Sequence, residues 1–152
     1  MIKYVPQDTA ITFAEIPIEI CLCLNLSMCP HKCHGCHSSY LQTDIGEELT
    51  ITIIEELINK NRGITCVVFL GGDNDKETMK SFGEFVKSKN LKSAWYSGET
   101  ELDLNEYGKY FDYIKVGPYI ESLGPLNSST TNQRLYRIED GCIDDVTYLF
   151  LK

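Results

Sequence analysis

Three cysteines and every histidine of this 152-residue chain fall in one stretch, Cys29-Pro-His-Lys-Cys-His-Gly-Cys-His37. Cys29, Cys33 and Cys36 are spaced Cys-x3-Cys-x2-Cys, with His31, His34 and His37 interleaved. A buried structural cysteine is ordinarily a small hydrophobe in an apolar run, whereas these sit among Pro, Lys, His and Gly. That is loop composition, and soft ligands crowded into a loop read as a metal centre. A closed zinc site takes four ligands, usually as two short pairs well apart in sequence, and no second pair follows here. Three thiolates instead fit a cubane iron-sulfur cluster with one iron left open to a substrate or cofactor. Zinc completed by one of the histidines is the rival metal. A thiol-disulfide couple of Cys33 and Cys36 is a third reading, but it expects Cys-x-x-Cys to open a helix in a thioredoxin-like unit. Helix-breaking residues follow the loop instead.

The surrounding sequence alternates between strand and helix signals. Ile11 to Ile16 and Ile20 to Leu26 are β-rich and extended, and Cys21 and Cys23, two apart, share one face as small core residues. That strand delivers the chain into the cysteine loop. Leu49 to Lys60 carries Ile53, Ile54, Leu57 and Ile58 on one helical stripe, capped by Thr50 or Thr52 and ended at Asn61-Arg-Gly63. The continuous apolar run from Ile64 to Leu70 suits a parallel strand buried on both faces, with Cys66 in its core. It stops at Gly71-Gly72-Asp73. A second helix starts at Asp75 with Met79, Phe82, Phe85 and Val86 in phase. Leu91 to Tyr96 is a strand turned by Ser97-Gly98, Leu104 to Tyr110 a short helix, and Tyr113 to Val116 a further strand.

This rhythm predicts an α/β fold with a parallel sheet and right-handed crossovers. The Cys loop, Gly71-Gly72-Asp73, Ser97-Gly98 and Gly117-Pro118 all follow strands, so they should gather at the carboxyl edge, where β/α proteins place their sites. Residues 117–133 read as a long ordered loop. Leu135 to Leu151 reads as a C-terminal β-hairpin turned on Asp140-Gly141, with Val146 to Leu151 in its second strand and Cys142 structural.

One domain over residues 1–152 is expected from the length, which is too short for a full eightfold β/α barrel of about 250 residues. A net charge of −8 argues against a broad basic surface for nucleic acid or an anionic membrane. No apolar run reaches the roughly 18 residues of a membrane span and no secretory signal is visible, so a cytoplasmic protein is expected. Seven cysteines, odd in number and partly clustered, point to reduced thiols rather than a disulfide scaffold.

Gly-Gly-acidic at a strand end is weak alone, since any tight βα turn can use two glycines. Combined with the Cys loop one unit upstream it becomes specific. The chain resembles the activating proteins of class III anaerobic ribonucleotide reductases, a small branch of the radical S-adenosylmethionine superfamily. The resemblance rests on Cys29-x3-Cys33-x2-Cys36 with Gly35-Cys36-His37-Ser38, on Phe69-Leu-Gly71-Gly72-Asp73, on Ala94-Trp-Tyr-Ser-Gly98, and on Asp112-Tyr-Ile-Lys-Val-Gly-Pro-Tyr119 followed by Thr131-Asn-Gln-Arg134. It implies a partial, open β/α barrel of the radical S-adenosylmethionine type.

By the same resemblance Cys29, Cys33 and Cys36 hold a [4Fe-4S] cluster whose fourth iron chelates the methionine moiety of S-adenosylmethionine. Gly71, Gly72 and Asp73 would position that methionine, and Ser97 and Lys115 would reach the cofactor's ribose or carboxylate. The implied activity is reductive cleavage of the cofactor, with hydrogen abstraction from a glycine of the reductase catalytic subunit and a flavodoxin or ferredoxin as electron donor. No general base is implied. Pyruvate formate-lyase or another glycyl-radical enzyme is the alternative target, and a zinc-bound interaction module the non-enzymatic rival. The sequence departs from the pattern at Gly71-Gly-Asp-Asn74, where Gly-Gly-Glu-Pro is usual, at Gly35, where many superfamily members carry an aromatic residue, and at Glu15-Ile-Pro-Ile-Glu-Ile, where some activators have a glycine-rich lead.

Overall fold

The computed structural model of the chain describes residues 1–31 and 39–151. Its strands are β1 (Lys3–Tyr4), β2 (Ala10–Thr12), β3 (Cys21–Asn25), β4 (Glu47–Glu48), β5 (Cys66–Leu70), β6 (Lys92–Tyr96), β7 (Tyr113–Val116), β8 (Arg134–Glu139) and β9 (Cys142–Asp145). Three α-helices accompany them among the described residues, α1 (Ile51–Lys60), α2 (Lys76–Ser88) and α3 (Leu104–Tyr107). Among the described residues, seven strands form one mixed sheet in the order β2-β3-β5-β6-β7-β8-β9. The four central strands, β3, β5, β6 and β7, are parallel, while β2, β8 and β9 join antiparallel. A separate pair, β1 with β4, was not anticipated.

The parallel strands follow chain order, with no reversal. Crossovers of one hand then bring every helix to one face of the sheet, and that face holds the larger core. Leu22, Leu24, Val67, Phe69, Trp95 and Ile114 meet Ile54 of α1, Met79, Phe82 and Val86 of α2, and Tyr107 of α3. Aromatic rings fill its centre: Phe69 lies 5.9 Å from Phe82, and Trp95 lies 5.3 Å from both Tyr107 and Phe111. Capping sets the helix starts. The Thr50 side chain accepts from Ile53 N, and the Asp75 side chain accepts from Thr78 N, each holding one of the first-turn amides that lack an intrahelical partner.

Alternation along the strands gives the opposite face Cys21, Cys23, Cys66, Val68 and Ala94, a layer of small side chains. No helix covers it. It is closed by Ile16, from the segment between β2 and β3, and by Leu149 and Phe150 near the C-terminus. Tyr96 Oη donates to Glu15 O, and Tyr113 Oη donates to Glu19 Oε2 at 2.9 Å, tying that segment across the sheet.

The tail hairpin turns on Asp140 and Gly141, both at positive φ, as a two-residue primed turn requires. Its second strand ends at Asp145. The expected extension through Val146 to Leu151 is instead a 3-10 helix over Thr147–Phe150, which turns Leu149 and Phe150 back onto the small-residue face. The extended reading of Ile11 to Ile16 likewise holds only to Thr12, because Ile16 must bend inward to be buried. No described helix is long and apolar enough to cross a membrane.

Candidate metal and cofactor site

Parallel pairing aligns Asn25, Leu70, Tyr96 and Lys115, one from each central strand, in a single row on the helix-free face at the carboxyl edge. All four line a cavity of about 230 Å³, joined there by Cys29, His31, Gly71, Asp73, Gly98 and Gln133. The carboxyl-edge gathering expected from the strand rhythm is therefore present for Cys29, the Gly-Gly-Asp turn and the ends of β6 and β7.

The cysteine loop is pinned where it leaves and re-enters the fold. Met28 takes a left-handed φ of 58°, which redirects the chain after β3. Met28 N then donates to Thr43 O at 3.1 Å and Cys29 N to Leu41 O at 2.9 Å. Cys29 is half-buried, with its Sγ 3.6 Å from His31 O. Cys33, Cys36, His34 and His37 lie outside the described residues.

Gly71 and Gly72 both require glycine, for different reasons. Their φ values are 113° and 97°, in the left-handed region. A Cβ on Gly71 would approach Leu26 O to 3.1 Å, and one on Gly72 would lie 2.4 Å from Met79 Sδ. Gly71 thus lines the cavity while Gly72 lets α2 pack close behind it. Gly71 O also accepts from Trp95 Nε1 at 2.7 Å, fixing the turn to the aromatic core.

Asp73 is the centre of the polar network, with its side chain 1% exposed. Its Oδ1 accepts from Ser97 Oγ at 2.6 Å and its Oδ2 from Gly98 N at 2.8 Å. Ser97 is itself buried and accepts from Glu99 N, so it stands behind Asp73 and orients the carboxylate instead of reaching the cavity. His31 Nε2 lies 3.0 Å from Asp73 Oδ2 and 3.7 Å from Glu99 Oε1. Lys76 Nζ, 2.9 Å from Glu99 Oε1, completes the cluster.

Lys115 is buried, donates to Ser97 O and Gly117 O at 3.0 Å each, and lies 5.6 Å over the Tyr96 ring. Gln133 Nε2 also donates to Gly117 O, and Asn132 Nδ2 to Pro118 O, so the two ends of the loop over residues 117–133 are clasped together. Burial, with Glu15 nearby, pushes the Tyr96 phenol well above its ordinary range and keeps it protonated. Asn25, Tyr96 and Gln133 were not singled out as site residues from sequence, and His31 was raised only as a rival zinc ligand. The pairing register explains Asn25 and Tyr96, since each sits at the last position of a parallel strand.

The other described thiols differ in character. Burial pushes the Cys23 thiol up to about 12. The Cys66 thiol is pushed up by its Cys21 neighbour and by burial. Cys142 lies exposed on β9, the edge strand. A metal needs thiolate, and among the described cysteines Cys29 is the one at the cavity. A half-buried cysteine at the cavity fits the first ligand of a cluster, and Cys33 and Cys36 follow it in the sequence.

A family model described as a 4Fe-4S single cluster domain matches residues 20–138, from the residue before β3 to the penultimate residue of β8. The chain belongs to that family, and an iron-sulfur cluster is its cofactor. No curated protein and no solved structure matches it.

Proposed function

We propose that this chain is a radical S-adenosylmethionine activating protein that installs the glycyl radical of an anaerobic ribonucleotide reductase. The carrying observation is the single cavity in which Cys29, the Gly71-Gly-Asp turn and Lys115 meet. The four parallel strands in chain order, with helices on one face, suit a partial β/α barrel open to a large partner. Cys29, Cys33 and Cys36 would hold the cluster, which would supply one electron for reductive cleavage of S-adenosylmethionine.

The chain's own residues bind and orient. Gly71 keeps its backbone open to the methionine moiety, and Asp73, once accessible, offers a carboxylate to its ammonium. Ser97 and Gly98 hold that carboxylate in place. Lys115 sets a positive charge in the cavity wall, where an anionic carboxylate fits. Leu26, Leu41 and Leu70 line the same cavity and exclude water.

A second cavity of about 530 Å³ shares Tyr96, Lys115, Tyr119 and Gln133 with the first and is walled by Glu15 and residues 125–127. It offers room for a glycine-bearing loop of a protein substrate, whose donor carbon must come within roughly 3–3.5 Å of the radical. A flavodoxin or ferredoxin would supply the electron.

The test mixes reconstituted protein, reductant, S-adenosylmethionine and the reductase catalytic subunit. A glycyl-radical electron paramagnetic resonance signal is expected on the reductase. Replacing Asn132, which clasps the 117–133 loop, should lower that signal more than it lowers cofactor cleavage by the protein alone. A signal on pyruvate formate-lyase and none on the reductase would move the substrate assignment and leave the reaction class standing.

A further inference from the structure

The carboxylate of Asp73 is already covered from within the chain. The His31 imidazole places Nε2 at 3.0 Å from Asp73 Oδ2, and with it in place the Asp73 side chain is 1% exposed. Ser97 and Gly98 hold Asp73 from the protein side, so His31 takes the cavity side. The ring rests on Gly98, where an added Cβ would lie 2.6 Å from His31 Cδ2 and 2.9 Å from Cγ. Yet His31 Nε2 is buried and makes no hydrogen bond of proper direction. The contact has proximity without the alignment of a settled bond, so a better-directed donor can replace it.

His31 also belongs to the cluster loop, two residues after Cys29, and its carbonyl lies 3.6 Å from the Cys29 thiol. One residue therefore joins the first cluster ligand to the carboxylate of the Gly-Gly-Asp turn. We infer that His31 is a displaceable latch on the ammonium subsite: it covers Asp73 in the ligand-free protein and is exchanged for the primary ammonium of an amino-acid ligand. This rests on the proposed reading of the cavity. Since the covered form cannot bind, the apparent affinity is lowered by the fraction of molecules that are latched.

Two variants release the latch by different routes. His31→Ala removes the ring. Gly98→Ala keeps it but puts a methyl where the ring rests, while retaining the Gly98 N–H to Asp73; Gly98 lies outside the left-handed region, so the backbone accepts alanine. Calorimetric titration of S-adenosylmethionine into anaerobically reconstituted protein, with cluster absorbance matched between samples, reads the effect.

Both variants are expected to bind about fivefold more tightly than wild type, and His31→Ala should give no gain in an Asp73→Ala background. Tighter binding by either variant that is lost on Asp73→Ala supports the latch. Wild-type binding that is equalled or weakened in both variants overturns the latch and leaves the proposed function standing. No binding by wild type or either variant overturns the proposed function, and the latch with it.

Discussion

Replacing Cys29, Cys33 or Cys36 with Ala is expected to abolish the iron-sulfur absorbance of anaerobically reconstituted protein, whereas Cys66→Ala and Cys142→Ala should retain it. The contrast follows from thiol chemistry and position. Cluster iron takes thiolate, and burial beside Cys21 keeps Cys66 protonated within the sheet. Cys142 sits on β9, at the opposite edge of the sheet from β2, and faces solvent. Cys29 lines the cavity, on a loop closed by the Cys29–Leu41 hydrogen bond. On the proposed assignment, losing any one of the three thiolates would leave two irons of the cubane without a protein ligand. Cys66→Ala should cost stability through the space left in the core. Iron and sulfide content, read beside a melting curve, separates these effects: a cluster lost in Cys66→Ala, or kept in Cys33→Ala, would overturn the ligand assignment.

Asp73→Ala is the second large effect. It should weaken S-adenosylmethionine binding by about 1–3 kcal/mol, the scale of a charge-assisted hydrogen bond, which is roughly 5- to 150-fold in affinity. The change also strands the buried Ser97 hydroxyl and the half-buried Gly98 N–H, so a stability loss of about 1–3 kcal/mol should accompany it. Asp73→Asn keeps an acceptor for one of these donors and removes the charge, which separates the two contributions. Cluster loading should be unchanged in both variants. Affinity equal to wild type in reconstituted protein would remove Asp73 from the site.

Much of this arrangement was legible in the sequence because it depends on local pattern. Thr50 and Asp75 announced their helices by capping chemistry, and both caps form. The apolar run ending at Leu70 and the glycines after it located a strand end. Once several strand ends were known, parallel pairing had to bring them to one edge. What escaped depends on contacts between distant segments. Nothing near His31 in sequence points to Asp73, 42 positions away by subtraction of their numbers. Ser97 was expected at the cofactor, and its burial behind Asp73 follows from the side-chain direction at the end of β6.

The tail shows the same limit. Val146 to Leu151 has strand composition, but the uncovered small-residue face captures Leu149 and Phe150, and a 3-10 turn delivers them there. The burial of Ile16 breaks the first extended segment for the same reason. In each case a packing need on the far face outweighed local β propensity, which is set largely by context.

The proposed reaction is tested most directly by product analysis. Reconstituted protein incubated anaerobically with a strong one-electron reductant and S-adenosylmethionine should form methionine and 5′-deoxyadenosine in equal amounts. Formation should depend on the reductant and disappear in Cys29→Ala. Protein that carries its full complement of iron and sulfide and binds S-adenosylmethionine, yet yields neither product under reduction, would contradict the account.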